Sequence, residues 1–298
     1  MAIEDNKYNT LLKLSHAISV LARHRNLENK AFWQDVKQNV LDAANVLRVE
    51  TGQVTPPIIL KPIAKLRLIQ RVTYFPHADS PEATLVPAWG GFIVRLRPGM
   101  PRVRYRYSLA HEIGHTLFYD IASTRPIRLL SQNSVKGYYL REEAICKGFA
   151  NQLLMPLDMV SLKLDSTKST MEGLAQIKYL ARLFEVSFKT MALRLIWDIE
   201  DYKNTVMLFR NFSNYDLNHR SKVRRIWGRK IRNPRKAEKE LINRITRVME
   251  DGYWDTILNL AQDLKVEYEK HNRQKIKLEY EYFSRKAVPQ AVILLNFS

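Results

Sequence analysis

The chain contains little cysteine and no long apolar run. Its 298 residues include one cysteine, Cys146, which excludes an internal disulfide and is typical of a reducing cytosol. No segment approaches the roughly 18 apolar residues that a membrane-spanning helix needs. Residues 1–13 carry charges early and lack the apolar core of a signal peptide. We therefore expect a cytoplasmic protein without a membrane span.

Negative charge is scarce relative to positive charge. The 30 Asp and Glu residues oppose 48 Lys and Arg residues, which gives a formal net charge of +18. A protein this basic attracts nucleic acid and other acidic partners. Nine of the cations fall in residues 220–236, which contain no acid: Arg220, Lys222, Arg224, Arg225, Arg229, Lys230, Arg232, Arg235 and Lys236. This basic segment is interpreted either as an arm that contacts nucleic-acid phosphates or as a solvated connector.

Histidine is also scarce, yet two of the seven histidines stand four residues apart. Residues 111–115 read His-Glu-Ile-Gly-His. On a helix, His111 and His115 project from the same face, where their imidazoles can bind one Zn²⁺. Glu112 follows the first histidine and is suitably placed to accept a proton from a metal-bound water. The pattern therefore predicts a catalytic zinc site on a helix.

The residues around the motif support a helix there. Ser108 precedes an apolar periodic run and is a good N-cap. Gly114 costs helix stability relative to alanine, by about 1 kcal/mol. A glycine inside a helix usually serves close packing or function, and we expect a neighbouring strand or the metal to pack closely at Gly114.

A catalytic zinc site needs a third protein ligand and one open position for water. Because no histidine follows His115 within a few turns, the candidates lie on the next amphipathic segment, residues 139–154. Glu142 points towards the middle of its apolar face and Glu143 towards the edge, and a carboxylate there is costly unless it is paired or metal-bound. The helical wheel slightly favours Glu142. Cys146 is conceivable as a ligand, but a small buried apolar residue is the stronger interpretation.

Three longer segments resemble a known family. Residues 106–115, RYSLAHEIGH, resemble the Arg-aromatic-Ser/Thr-Leu-Ala-His-Glu-hydrophobic-Gly-His signature of the ImmA/IrrE metallo-endopeptidases. Residues 143–156, EAICKGFANQLLMP, are similar to that family's second signature, and residues 180–195 resemble its Leu-Ala-x-x-Phe-x-Val-Ser and Arg-Leu pattern. The resemblance extends over roughly residues 56–200. It implies that Glu143, rather than Glu142, is the third zinc ligand.

The resemblance also implies a function. The chain is expected to be a zinc-dependent endopeptidase that cleaves a specific intracellular protein, often a DNA-binding repressor such as a helix-turn-helix protein. Glu112 would pass its proton to the leaving amine, and Tyr107, Tyr119 and Tyr139 are candidate oxyanion stabilisers that also have structural interpretations. The alternative is a nucleic-acid-associated regulatory or toxin–antitoxin protein with a structural or inactive zinc site. The intact motif argues against a lost site, and a structural zinc would not need Glu112.

The remaining patterns predict an α+β fold. We expect a zincin-like core, in which a small sheet with an edge strand packs on the motif helix beside cover helices. Residues 90–96 alternate as a strand does. By analogy with zinc peptidases of this build, we expect this strand to form the edge of the cleft and to offer free N–H and C=O groups to an extended peptide; the alternative is a purely structural strand. The predicted domains are an N-terminal helical segment at 1–55, a zincin-like metallopeptidase domain at 56–203 and a basic C-terminal α+β region at 204–298.

Overall fold

The computed structural model of the chain describes residues 30–77, 80–129, 138–211, 224–227, 235–251, 254–272, 275–283 and 290–297. Contacts divide the chain into two compact units, Met1–Val160 with Ala181–Ser187 and Ser161–Leu180 with Phe188–Ser298. Both units combine helices with a β-sheet, which confirms the α+β class. The domain boundaries after residues 55 and 203 stay predictions. In the described ranges, no helix has the length and apolar composition that crossing a bilayer requires.

The first unit contains α1 (Lys30–Glu50), α2 (Leu60–Leu66), β1 (Ile69–Tyr74), β2 (Ala83–Ala88), β3 (Gly91–Leu96), α3 (Arg102–His115), β4 (Tyr119–Asp120), β5 (Ile127–Arg128) and α4 (Tyr138–Leu154). Helix α1 buries Val36, Val40 and Leu47 on one face, which is the spacing of an amphipathic helix. Within the predicted N-terminal helical segment, residues 30–50 form a helix, and residues 1–29 lie outside the described residues.

The three-stranded sheet has the order β1-β3-β2. Strand β3 is parallel to β1 and antiparallel to β2, so the prediction that residues 90–96 form the edge is wrong. The chain reverses between β2 and β3 at Trp89 and Gly90. Gly91 begins β3 with φ at +151°, and a Cβ there would lie 2.1 Å from the carbonyl oxygen of Leu68. Because β3 is the central strand, β1 and β2 are the two edge strands. Pro87 in β2 agrees with that position, because proline cannot donate to a neighbouring strand.

Helix α3 carries the His-Glu-x-x-His motif but begins earlier than its sequence indicates. It starts at Arg102 after Pro101, so Ser108 is a buried residue within the helix and not its N-cap. The expected close approach at Gly114 comes from helix α4 and not from a strand. A Cβ at this position would lie 3.0 Å from Cδ1 of Phe149 and 3.4 Å from Cα of Cys146. Glycine therefore allows α3 and α4 to pack closely.

The end of α3 is fixed by a buried arginine. Arg67 is fully buried, and it donates hydrogen bonds to the hydroxyl and the carbonyl oxygen of Thr116, each at 2.9 Å. Burial lowers the pKa of Arg67 to about 10, which still leaves the guanidinium charged at neutral pH. A cation near a helix C-terminus is stabilised by the helix dipole. Since Thr116 follows His115 directly, this contact holds the motif helix where its second histidine lies.

Helices α5 (Leu157–Thr167) and α6 (Gly173–Leu183) contribute residues to both units. The rest of the second unit contains α7 (Phe188–Asp198), β6 (Thr205–Asn211), β7 (Arg224–Trp227), α8 (Lys236–Asp251), α9 (Trp254–Asn272), β8 (Ile276–Phe283) and β9 (Gln290–Phe297). Its antiparallel sheet has the order β7-β6-β9-β8. A hydrophobic core joins this sheet to α8 and α9 through Leu208, Ile293, Ile245 and Ala261. Of the basic segment 220–236, only residues 224–227, 235 and 236 are described.

Candidate active site

Helices α3 and α4 together bring the predicted site residues to one place. On α3, the Nε2 atoms of His111 and His115 lie 3.1 Å apart, and the two rings are nearly perpendicular, with an angle of 82° between them. The four-residue spacing accounts for this, because residues i and i+4 share a helix face. Both imidazoles are mostly buried, with side chains 13% and 11% exposed. They converge on a single point beside α4.

Glu143 of α4 faces these two ring nitrogens. One carboxylate oxygen lies 3.2 Å from Nε2 of His111, and the other lies 3.2 Å from Nε2 of His115. In tetrahedral zinc sites, bonds of 2.0–2.1 Å separate neighbouring ligand atoms by about 3.3 Å. Hydrogen bonds with the two histidines hold the pKa of Glu143 well below its ordinary value. Two imidazoles and an ionised carboxylate at these distances fit a divalent metal ion with one open position.

Glu142 occupies a different place from its neighbour in sequence. It is fully buried, and its carboxylate lies 2.7 Å from Nδ1 of His115, on the side of the ring opposite Nε2. Its other oxygen accepts a hydrogen bond of 2.5 Å from Arg128. The two adjacent carboxylates therefore contact different nitrogens of His115, and only Glu143 contacts the nitrogen that also faces His111.

Cys146 forms a second potential donor cluster with His115 and Glu142. Its thiol is completely buried, and burial raises its pKa to about 11. A cysteine buried in this way is typically an inert structural residue. These properties favour the interpretation of Cys146 as a small buried residue over its interpretation as a ligand.

Glu112 is directed into a cleft whose walls come from several elements. The cleft is lined by Ala83, Thr84, Leu85, Glu112, His115, Tyr119, Arg128 and Glu143. The wall opposite the motif helix is the edge strand β2, and the backbone N–H of Leu85 donates a hydrogen bond to the Glu112 carboxylate. Burial raises the pKa of Glu112, although the two histidines and this N–H act in the opposite direction. A carboxylate with a raised pKa, adjoining a potential metal site, has the properties of a general base.

The three tyrosines considered as oxyanion stabilisers have different positions. Tyr119 lines the cleft. The hydroxyl of Tyr107 instead donates to the carbonyl oxygen of Lys147 at 3.4 Å, and burial raises its pKa to about 12. The side chain of Tyr139 lies outside the described residues. Tyr119 is therefore the candidate that the cleft geometry favours.

Arg128 is the residue of this cleft that the sequence did not indicate. It lies on β5, donates a hydrogen bond of 3.1 Å to the Tyr119 hydroxyl, and has its guanidinium carbon 5.4 Å from the centre of that ring. Strands β4 and β5 are two residues each, too short to produce an alternating pattern. The sequence therefore held no periodic signal that could have identified Arg128.

Comparison with known proteins gives a family for this part of the chain. No curated protein matches it. Among solved structures, a Mycobacterium tuberculosis transcriptional regulator is similar, with a TM-score of 0.46 and 12% identity over 87% of this chain and 76% of that one. Residues 70–195 match the peptidase M78 family model, which is described as an IrrE N-terminal-like domain. The range contains α3, α4 and the edge strand β2, so the resemblance noted in the two signatures is confirmed. Residues 70–195 therefore belong to the ImmA/IrrE family as an IrrE N-terminal-like domain.

Proposed function

We propose that the chain is a zinc-dependent endopeptidase in which His111, His115 and Glu143 bind Zn²⁺. The observation that carries this proposal is the triangle of donor atoms, in which the two Nε2 atoms and the Glu143 oxygens lie 3.1–3.2 Å from one another. Two histidines, one carboxylate and one open position are the donor set of catalytic zinc, since structural zinc sites are closed by four protein ligands. When bound, the ion would lower the pKa of a water ligand and polarise a scissile carbonyl.

The residues around the donors have roles in proton transfer and substrate binding. Glu112 accepts the proton of the attacking water and delivers it to the leaving amine nitrogen. The substrate lies along β2 as an additional strand, because that edge has no second strand beside it in the described part of the chain. The N–H of Leu85 is already engaged by Glu112, and Pro87 has no N–H to offer. Carbonyl oxygens on this edge therefore supply most of the backbone hydrogen bonds to substrate.

Metal removal tests this proposal. Chelation should abolish cleavage of a proteome-derived peptide library, as followed by mass spectrometry of the products. Stoichiometric Zn²⁺ should restore cleavage and Mg²⁺ should not, because Mg²⁺ prefers octahedral oxygen sites over imidazole. Peptide hydrolysis that continues at an undiminished rate after complete removal of the metal would contradict the proposal.

We propose further that the substrate is an intracellular protein, and specifically a DNA-binding repressor of the helix-turn-helix type. This part rests on the family to which residues 70–195 belong. It is consistent with a cleft walled by an edge strand, since such a cleft accepts an extended segment and not a folded domain. The substrate would then present a flexible segment to β2.

A second candidate function, contact with nucleic acid, is favoured by cations within and next to the basic segment. Arg225 is exposed and donates a hydrogen bond of 2.8 Å to Asn243 on α8. Lys236 and Lys239 lie on the exposed face of the same helix, at the spacing that continues to Asn243. Among the described residues, neither lysine forms an ion pair with a carboxylate. This row of unneutralised cations has the chemistry that binds a phosphate backbone.

Neutralising these cations should weaken duplex binding in a salt-dependent manner. In the variant R225Q/K236Q/K239Q, each lost phosphate contact is expected to reduce the slope of log affinity against log salt by about 0.9. The effect should be largely independent of DNA sequence. R244Q is the matched control, because Arg244 on the same helix already forms two hydrogen bonds with Glu267, at 2.8 and 2.9 Å. If wild-type protein shows no salt-sensitive DNA binding at low ionic strength, the segment 220–236 is a solvated connector.

A further inference from the structure

Glu142 is a fully buried carboxylate whose two oxygens contact groups from two different elements. Its Oε1 lies 2.7 Å from Nδ1 of His115, and its Oε2 accepts a hydrogen bond of 2.5 Å from Arg128. A buried charge is costly unless an opposite charge and hydrogen bonds compensate it. Arg128 supplies that compensation, so Glu142 can remain ionised beside the imidazole.

The two histidines of the motif differ in the partner of their Nδ1 atom. His115 has a charged partner at Nδ1, whereas Nδ1 of His111 is buried without a hydrogen-bond partner among the described residues. A carboxylate at Nδ1 makes that nitrogen the donor and leaves the lone pair of Nε2 for a metal. The Glu142 carboxylate therefore fixes the orientation of the His115 ring through its Nδ1 atom.

Arg128 is itself held in place. It donates one hydrogen bond to the Tyr119 hydroxyl at 3.1 Å, and its guanidinium lies over the Tyr119 ring. These contacts place the guanidinium on the oxygen of Glu142 that does not contact His115. A carboxylate engaged on both oxygens cannot also turn towards Nε2 of His115 and compete with Glu143.

We propose that Glu142 and Arg128 are positioning residues, which orient His115 for the metal and keep Glu142 out of the ligand set. This inference rests on the proposed function, because it assumes that His115 binds the ion through Nε2. It assigns different tasks to two adjacent glutamates. Glu143 is the ligand, and Glu142 is the outer partner whose charge Arg128 balances. Partners of this kind contribute roughly 10- to 100-fold to metal affinity.

Zinc affinity of the full-length protein is the decisive measurement, made by competition against a chromophoric chelator. Glu142→Gln preserves size but removes the charge, and it should weaken zinc binding by about 10- to 100-fold. Arg128→Met should also weaken it, and the double variant should lose less than the sum of the two free-energy changes, because the residues act as one pair. Arg128→Lys should recover part of the affinity, since it restores the positive charge without the planar fork.

Arg125→Met is the matched control, because Arg125 is an exposed arginine that precedes β5, and its zinc affinity should equal that of wild type. Circular dichroism identifies any variant that fails to fold, and in that case Arg128→Met and Arg128→Lys decide the question without Glu142→Gln. Wild-type zinc affinity in folded Glu142→Gln and Arg128→Met would overturn the positioning pair alone. Absence of zinc binding by the wild-type protein would instead overturn the proposed function on which the pair rests.

Discussion

Glu112→Gln is expected to reduce peptide hydrolysis by at least about a hundredfold, the lower end of general-base contributions. The amide has nearly the shape of the carboxylate but cannot accept a proton from water. Glu112 lies in the cleft and contacts the Leu85 N–H through its carboxylate, and the amide oxygen of glutamine can still accept that hydrogen bond. The fold and the metal content should therefore be preserved while the chemical step is lost.

The measurement compares cleavage rates, zinc content and thermal unfolding of the variant and the wild-type protein. The variant should also retain substrate, so protein that co-purifies with Glu112→Gln can be identified and then tested as a substrate of the wild-type enzyme. A DNA-binding repressor recovered in this way would support the proposed substrate class. Hydrolysis by Glu112→Gln at the wild-type rate would eliminate the role of Glu112 as general base.

His115→Ala and Glu143→Ala are each expected to lose most of the bound zinc, from near one ion per chain in the wild-type protein. Each variant removes one of three donors whose atoms lie 3.1–3.2 Å apart. Two remaining protein ligands do not complete the three-ligand set of a catalytic site. Metal analysis of the purified proteins provides the comparison. His77→Ala is the control, because His77 is exposed on the surface and should retain the full zinc content.

The same measurement distinguishes the two glutamates. Glu142→Ala should keep the three zinc donors but bind zinc more weakly, since only the contact between the Glu142 carboxylate and Nδ1 of His115 is lost. Undiminished zinc in Glu143→Ala, together with its loss in Glu142→Ala, would show that the ligand is Glu142 and that the assignment based on the family signatures is wrong.

The sequence predicted the site best where the geometry is local. The positions of His111 and His115 relative to each other follow from helix periodicity alone, and the structure places their Nε2 atoms 3.1 Å apart. The choice between Glu142 and Glu143 was harder, because a helical wheel describes one helix and not the direction from which another approaches. Packing of α4 against Gly114 of α3 fixes that direction.

Long-range pairing limited the prediction of the sheet. Residues 90–96 were correctly predicted as a strand, but a strand's own sequence does not state how many neighbours it has. Strand β3 pairs on both sides, and the edge strands are β1 and β2. Pro87 was the available signal for an edge strand. Arg128 could not be predicted at all, since its role depends on contacts with Glu142 and Tyr119 that join separate parts of the chain.

The buried contact between Arg67 and Thr116 has a consequence for where this domain can be cut. Arg67 precedes the first residue of the family match at 70–195, yet it holds the end of the helix that carries His115. Helix α1 also precedes the match, and its Asn45 accepts a hydrogen bond of 3.0 Å from Gln152 on α4. A fragment trimmed to the family limits would expose the buried surfaces of both helices. The smallest unit that can be expressed with an intact site therefore extends upstream of the family match to include α1 and Arg67.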